Sequence, residues 1–133
     1  FVVLSEIAMR ALSPAVNDPG TAIKVLQTMV RLLDEWRQPI PPGYIETPWN
    51  RVEVPAVSVA KLFDDAFTGI GRDGAGMVEV GVDLQRSLAA LADSHDRAMA
   101  DAARYHSTLA LARAEQALTV SRDVERVRKA SGQ

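Results

Sequence analysis

At 133 residues the chain has the length of one domain with a single core, and its 47% hydrophobic and 24% charged content argue against disorder. A net charge of −2 leaves no basic excess to neutralise phosphates, so no nucleic-acid partner is expected. The absence of cysteine excludes a disulfide scaffold, a thiolate zinc site and a cysteine nucleophile.

The chain opens on Phe1, without an initiator Met and already in helical register, as expected of a piece of a longer protein. Val3, Leu4, Ile7, Ala8, Ala11 and Leu12 recur at helical spacing, with Glu6 and Arg10 four apart as a supporting ion pair. Every apolar run is shorter than the roughly 18 residues of a membrane-spanning helix, so this segment is expected to be soluble and not to insert directly. Pro14 ends the first helix near Ser13 by excluding its predecessor from the helical region. Asp18 and Pro19 read as the N-cap and first position of a second helix. Its core face is Ala22, Ile23, Leu26, Met29, Val30, Leu33 and Trp36, with Lys24, Gln27, Arg31, Asp34 and Glu35 toward water.

The stretch “QPIPPGYIETPWN” carries four prolines and a glycine and reads as a long loop. The alternation of Arg51 to Val54, set against Tyr44 to Thr47, suggests a small two-stranded β-ribbon around 44–54. Ser58 then caps a third helix burying Val59, Leu62, Phe63, Ala66, Phe67 and Ile70. A fourth places Met77, Val78, Val80, Gly81, Leu84, Leu88 and Leu91 on one face. The fifth, from about His95 to Leu118, has a small-residue seam of Met99, Ala102, Ala103, His106, Leu109, Ala110 and Ala117, suited to close helix approach within the domain or between subunits. Ser121 is expected to cap a last helix, with Asp123 and Glu125 in its first turn.

“GIGRDG” matches the dinucleotide fingerprint at Gly69, Gly71 and Gly74, but the fingerprint needs a preceding strand and “KLFDDAFTGI” has helical periodicity. A helix C-cap at Gly69 or Gly71 is the plainer expectation, with amides around Gly74 to Met77 open to an anion. His95 and His106 are eleven residues apart, roughly 16 Å along a helix, so they cannot share one metal ion. No G-x-S-x-G places a nucleophile. No catalytic residue, metal site or cofactor is therefore assigned.

“RALSPAVNDPGTA” concentrates oxygen-bearing side chains at one corner of an apolar chain. Two readings stay open: Ser13, Asn17, Asp18 and Thr21 serve only the caps and the turn, or they converge on a ligand. The second would suit a hard cation or, at the helix start, an anion, with Arg10 or Arg72 as its partner.

“SEIAMRALSPAVNDPGTA”, with “RVEVPAVSVAKLFDDAF” and “GRDGAGMVEV” further on, resembles the soluble portion of a bacterial family of predicted integral membrane proteins, the domain of unknown function numbered 2254. The likeness covers most of the chain and is most specific in Ala11 to Ala22 and Asp73 to Gly76. It implies membrane helices upstream as a partner within the same protein and a place at the bacterial inner membrane; exposure of this portion to the cytoplasm is a further expectation that the resemblance does not itself supply. Its motif falls on Leu12, Ser13, Pro14, Asn17, Asp18, Pro19, Thr21 and Ala22, and it brings no known reaction or catalytic residue.

The expected architecture is mainly α: a single helical-bundle-like domain of five or six helices over 1–133. The expected role is non-enzymatic, in assembly, ligand sensing or gating of a membrane portion. The alternatives are an enzymatic or transport-coupled small-ligand site at the Ser13–Thr21 corner, and homo-oligomerisation through the fifth helix.

Overall fold

A computed structural model describes residues 1–37 and 56–132. The described residues form six helices: α1 (Val2–Leu12), α2 (Pro19–Trp36), α3 (Val59–Asp73), α4 (Val78–Ala92), α5 (Arg97–Ala117) and α6 (Ser121–Ala130). The fold is mainly α and bundle-like, with no strand among the described residues; the ribbon expected around 44–54 lies outside them.

The helix ends follow from local chemistry. Ser13, ahead of Pro14, is extended at ψ 148°, which ends α1. Asn17 takes a left-handed φ of 50°, a conformation its short polar side chain tolerates, and Asp18 then opens α2 with Pro19 in its first turn. Ser58 caps α3 by accepting from the Lys61 amide at 3.3 Å, and Asp96 caps α5 by accepting from the Met99 amide at 2.9 Å. The last helix differs from expectation. Its N-cap is Val120, with no side-chain cap, and Ser121 is already helical.

Five helices close a ring, α1 against α2, α2 against α4, α4 against α5, α5 against α3 and α3 against α1, while α6 lies outside against α4 and α5. Phe63, Phe67, Leu26, Met29, Leu33, Ile70, Leu88 and Met99 fill its centre. Phe63 and Phe67 meet tilted, with ring centroids 5.2 Å apart, and burying each such side chain contributes roughly 1.5–3 kcal/mol. A smaller cluster of Leu111, Ala114 and Val127 fixes α6.

Several expected positions move. Val3 and Ile7 are exposed at 66% and 46%, and Ser5 takes an inward position on α1. Trp36 is exposed, stacked under Arg37. Ala117 is also exposed, whereas Met99, Ala103, His106 and Ala110 of the expected α5 seam are buried and are joined by Ala100, Leu111 and Ala114. Glu6 and Arg10 do not form an ion pair within 4 Å, because exposed partners in water gain little from one fixed geometry.

Gly69 and Gly71 do not cap α3; the helix runs through both and ends at a Gly74 cap. Tertiary contact accounts for the small residue at Gly69, while a Cβ at Gly71 would make only ordinary contacts. A Cβ on Gly69 would collide with Met9 of α1, and one on Gly71 would meet Leu84 and Ala110 at 3.5 and 3.7 Å.

Candidate functional site

The corner between α1 and α2 is built on backbone contacts. The Asn17 amide donates to Ser13 O at 2.8 Å, and the Asp18 amide donates across the turn to Ala11 O at 2.8 Å. The Ser13 hydroxyl donates to Arg10 O at 2.7 Å. Both carboxylate oxygens of Asp18 are engaged by Thr21: Oδ1 accepts from its amide at 3.1 Å and Oδ2 from its hydroxyl at 2.6 Å. Those bonds, the hydroxyl's foremost, hold the Asp18 carboxyl below its ordinary value even though it is exposed.

The six sequence-derived candidates are thus divided. Asp18 and Thr21 are mutually bonded, and Asn17 supplies the turn. Arg10 is exposed and contributes a carbonyl. Arg72, on α3, is engaged by its neighbour Asp73, with Nε to Oδ1 at 2.6 Å, and reaches Met9 Sδ at 3.7 Å. An open cleft of about 530 Å³ beside the corner is lined by Met9, Leu12, Ser13, Pro14, Asp73 and Met77. Of the six candidates only Ser13 lines it, and its hydroxyl proton is already given to the backbone. The turn after α3 is similarly occupied, since the amides of Gly74, Ala75 and Met77 donate to Ile70, Arg72 and Gly74.

The two histidines separate. His95 is exposed beside the mouth of α5. His106 is 4% exposed, packed among Phe63, Phe67 and Tyr105, with Nε2 3.2 Å from Asp64 Oδ1. Burial lowers its pKa, only partly opposed by Asp64, so the neutral ring is favoured. Among the described residues no group of three His, Asp or Glu side chains converges as a metal site.

Within this geometry the match to known proteins falls on α1 through most of α4: residues 1–90 fit the family model described as Predicted membrane protein (DUF2254). The chain belongs to this DUF2254 family. No curated protein and no solved structure matches it. Among the described residues, no helix of this DUF2254 member is long and apolar enough to cross a membrane.

Sequence reasoning missed two polar features. Gln85 is fully buried and joins α4 to α5 reciprocally: its Nε2 donates to Ser107 O at 3.0 Å, and the Ser107 hydroxyl donates to its Oε1 at 2.6 Å. Its place beside Leu84 and Leu88 was the available signal. The second feature is a groove between α2 and α4, lined by Lys24, Gln27, Thr28, Val30, Arg31, Arg86, Ser87 and Ala90. Periodicity assigns Lys24 and Arg31 to water correctly, yet cannot show that Arg86 of another helix joins them.

Proposed function

We propose that this DUF2254 segment is a non-enzymatic, water-facing domain, on the cytoplasmic side of the bacterial inner membrane, that docks on the membrane portion of its own protein and serves its assembly or gating. The observation carrying this reading is the outward apolar pair Val3 and Ile7 of α1, four residues apart on one face and exposed at 66% and 46%. Two large apolar side chains exposed one turn apart on a short helix offer a contact surface to a partner. Family membership supports a membrane-embedded partner, and the bonded state of Asp18, Thr21 and Arg72 favours a docking role over chemistry at the corner.

Site-specific photocrosslinking in the full-length protein, in native membranes, tests the reading. A photoreactive residue at Val3 or Ile7 is expected to crosslink to membrane-embedded segments, whereas one at exposed Gln116 on α5 is not. Equal labelling from all three positions, or turnover of a metabolite that survives these substitutions, would overturn it.

A further inference from the structure

The α2/α4 groove is open, about 770 Å³, and lined by three cationic side chains with no carboxylate. That is a local excess of positive charge in a chain whose net charge is −2. Lys24 and Arg31 lie two turns apart on α2, roughly 10 Å along its axis, and Arg86 comes from α4. None of the three lies within ion-pair distance of a carboxylate among the described residues, although Lys61, Arg72, Arg104, Arg126 and Arg128 all do. Cations brought together from two packed helices, with no carboxylate in direct contact, raise the local positive potential and favour an anion.

The hydroxyls sharpen the chemistry. Ser87, only 9% exposed, has no hydrogen-bond partner among the described residues and leaves a donor available at the groove wall. Thr28 donates to Lys24 O at 2.9 Å and retains only acceptor capacity. The nearest polar neighbour along α4, Asp83, does not line the groove; its Oδ1 accepts from Gln27 at 3.4 Å and its Oδ2 is buried without a partner. Arg31 from α2, with Arg86 and Ser87 from α4, supply the donors on the two walls of the groove. Guanidinium groups present several N–H donors to phosphate oxygens, and Val30 with Ala90 offers an apolar wall to whatever the phosphate carries.

We propose that the α2/α4 groove is a binding site for a phosphate ester, its anionic oxygens held by Arg31, Arg86 and the Ser87 hydroxyl, with Lys24 adding longer-range attraction. The assignment stands independently of the docking reading, since α1 does not line this groove. A soluble phosphate ester and a phospholipid headgroup share the chemistry, and two probes separate them.

The first probe is glycerol 3-phosphate, titrated while the Ser87 and Thr28 amide resonances are followed; the second is cosedimentation with phosphatidylcholine vesicles, with and without phosphatidylglycerol. Arg31→Gln/Arg86→Gln is expected to weaken binding about tenfold or more, because each replacement removes charge-assisted hydrogen bonds. Both side chains are exposed, so an unchanged urea midpoint confirms that the variant is folded. A response to glycerol 3-phosphate that the variant loses assigns a soluble ester. Vesicle binding that requires phosphatidylglycerol and falls in the variant, without that response, assigns a headgroup. An equal loss in Arg97→Gln/Arg122→Gln, which removes the same charge from α5 and α6, overturns the proposal, as does no binding of either probe by the wild-type protein.

Discussion

The α1–α2 corner and the α2/α4 groove both gather polar side chains around α2, and they differ in what those side chains already hold. At the corner, Ser13, Asp18 and Thr21 bond to one another or to the backbone, and Asn17 supplies the turn. In the groove, Lys24, Arg31 and Arg86 have no ion-pair partner and Ser87 has no hydrogen-bond partner, among the described residues. Polar density in a sequence is therefore a poor guide to a site. Uncommitted polar groups facing one concavity are a better one, because they retain the capacity to bind something else.

The comparison can be broken at the core that both regions share. Leu26 is fully buried on the inner side of the α2 stretch that lines the groove, just beyond the corner, and Leu26→Ala is expected to cost about 2–5 kcal/mol in urea unfolding. A loss well below that range would mean that α2 is not the rigid support on which both regions depend.

A smaller effect follows from His106. Its folded pKa lies below the ordinary 6.5, so the unfolded chain binds more protons between the two values. Stability should be fully present above about pH 6.5 and should decline as pH falls toward the folded value. His106→Phe should flatten that part of the urea-midpoint profile. An unchanged slope would assign the titration elsewhere.

Asp18→Ala sharpens the contrast directly. It should lower the melting temperature modestly through loss of the α2 cap, leave glycerol 3-phosphate binding unchanged, and be rescued in part by Asp18→Asn, since asparagine also caps helices. The carboxylate's contribution should be present above pH 3.8 and lost as pH falls below it, because the folded pKa is depressed. Loss of phosphate binding in Asp18→Ala would erase the distinction between the two regions. The smallest effect expected is on stability in Arg31→Gln/Arg86→Gln, within about 0.5 kcal/mol of wild type, as for exposed substitutions generally. A larger loss would show that the groove cations support the fold.

The sequence by itself determined the helices and most of their inward faces. Phe63, Ala66, Phe67 and Ile70 recur at spacings that only a helix brings onto one side, and Pro14, Asp18, Pro19 and Ser58 set boundaries through bonds made within a few residues. The family motif was legible for the same reason, being continuous along the chain, and its match confirms membership. Tertiary structure decided the rest. Whether Ile7 or Trp36 was covered depended on which helix lay opposite, and Gly69 answered to Met9 rather than to a turn. Gln85 needed Ser107 on α5 to be a satisfied core residue. The groove required the pairing of α2 with α4, which brought Lys24 and Arg31 to Arg86 and Ser87. Periodicity records how each helix divides its own surface; the neighbour that meets each face is set by packing across the whole chain.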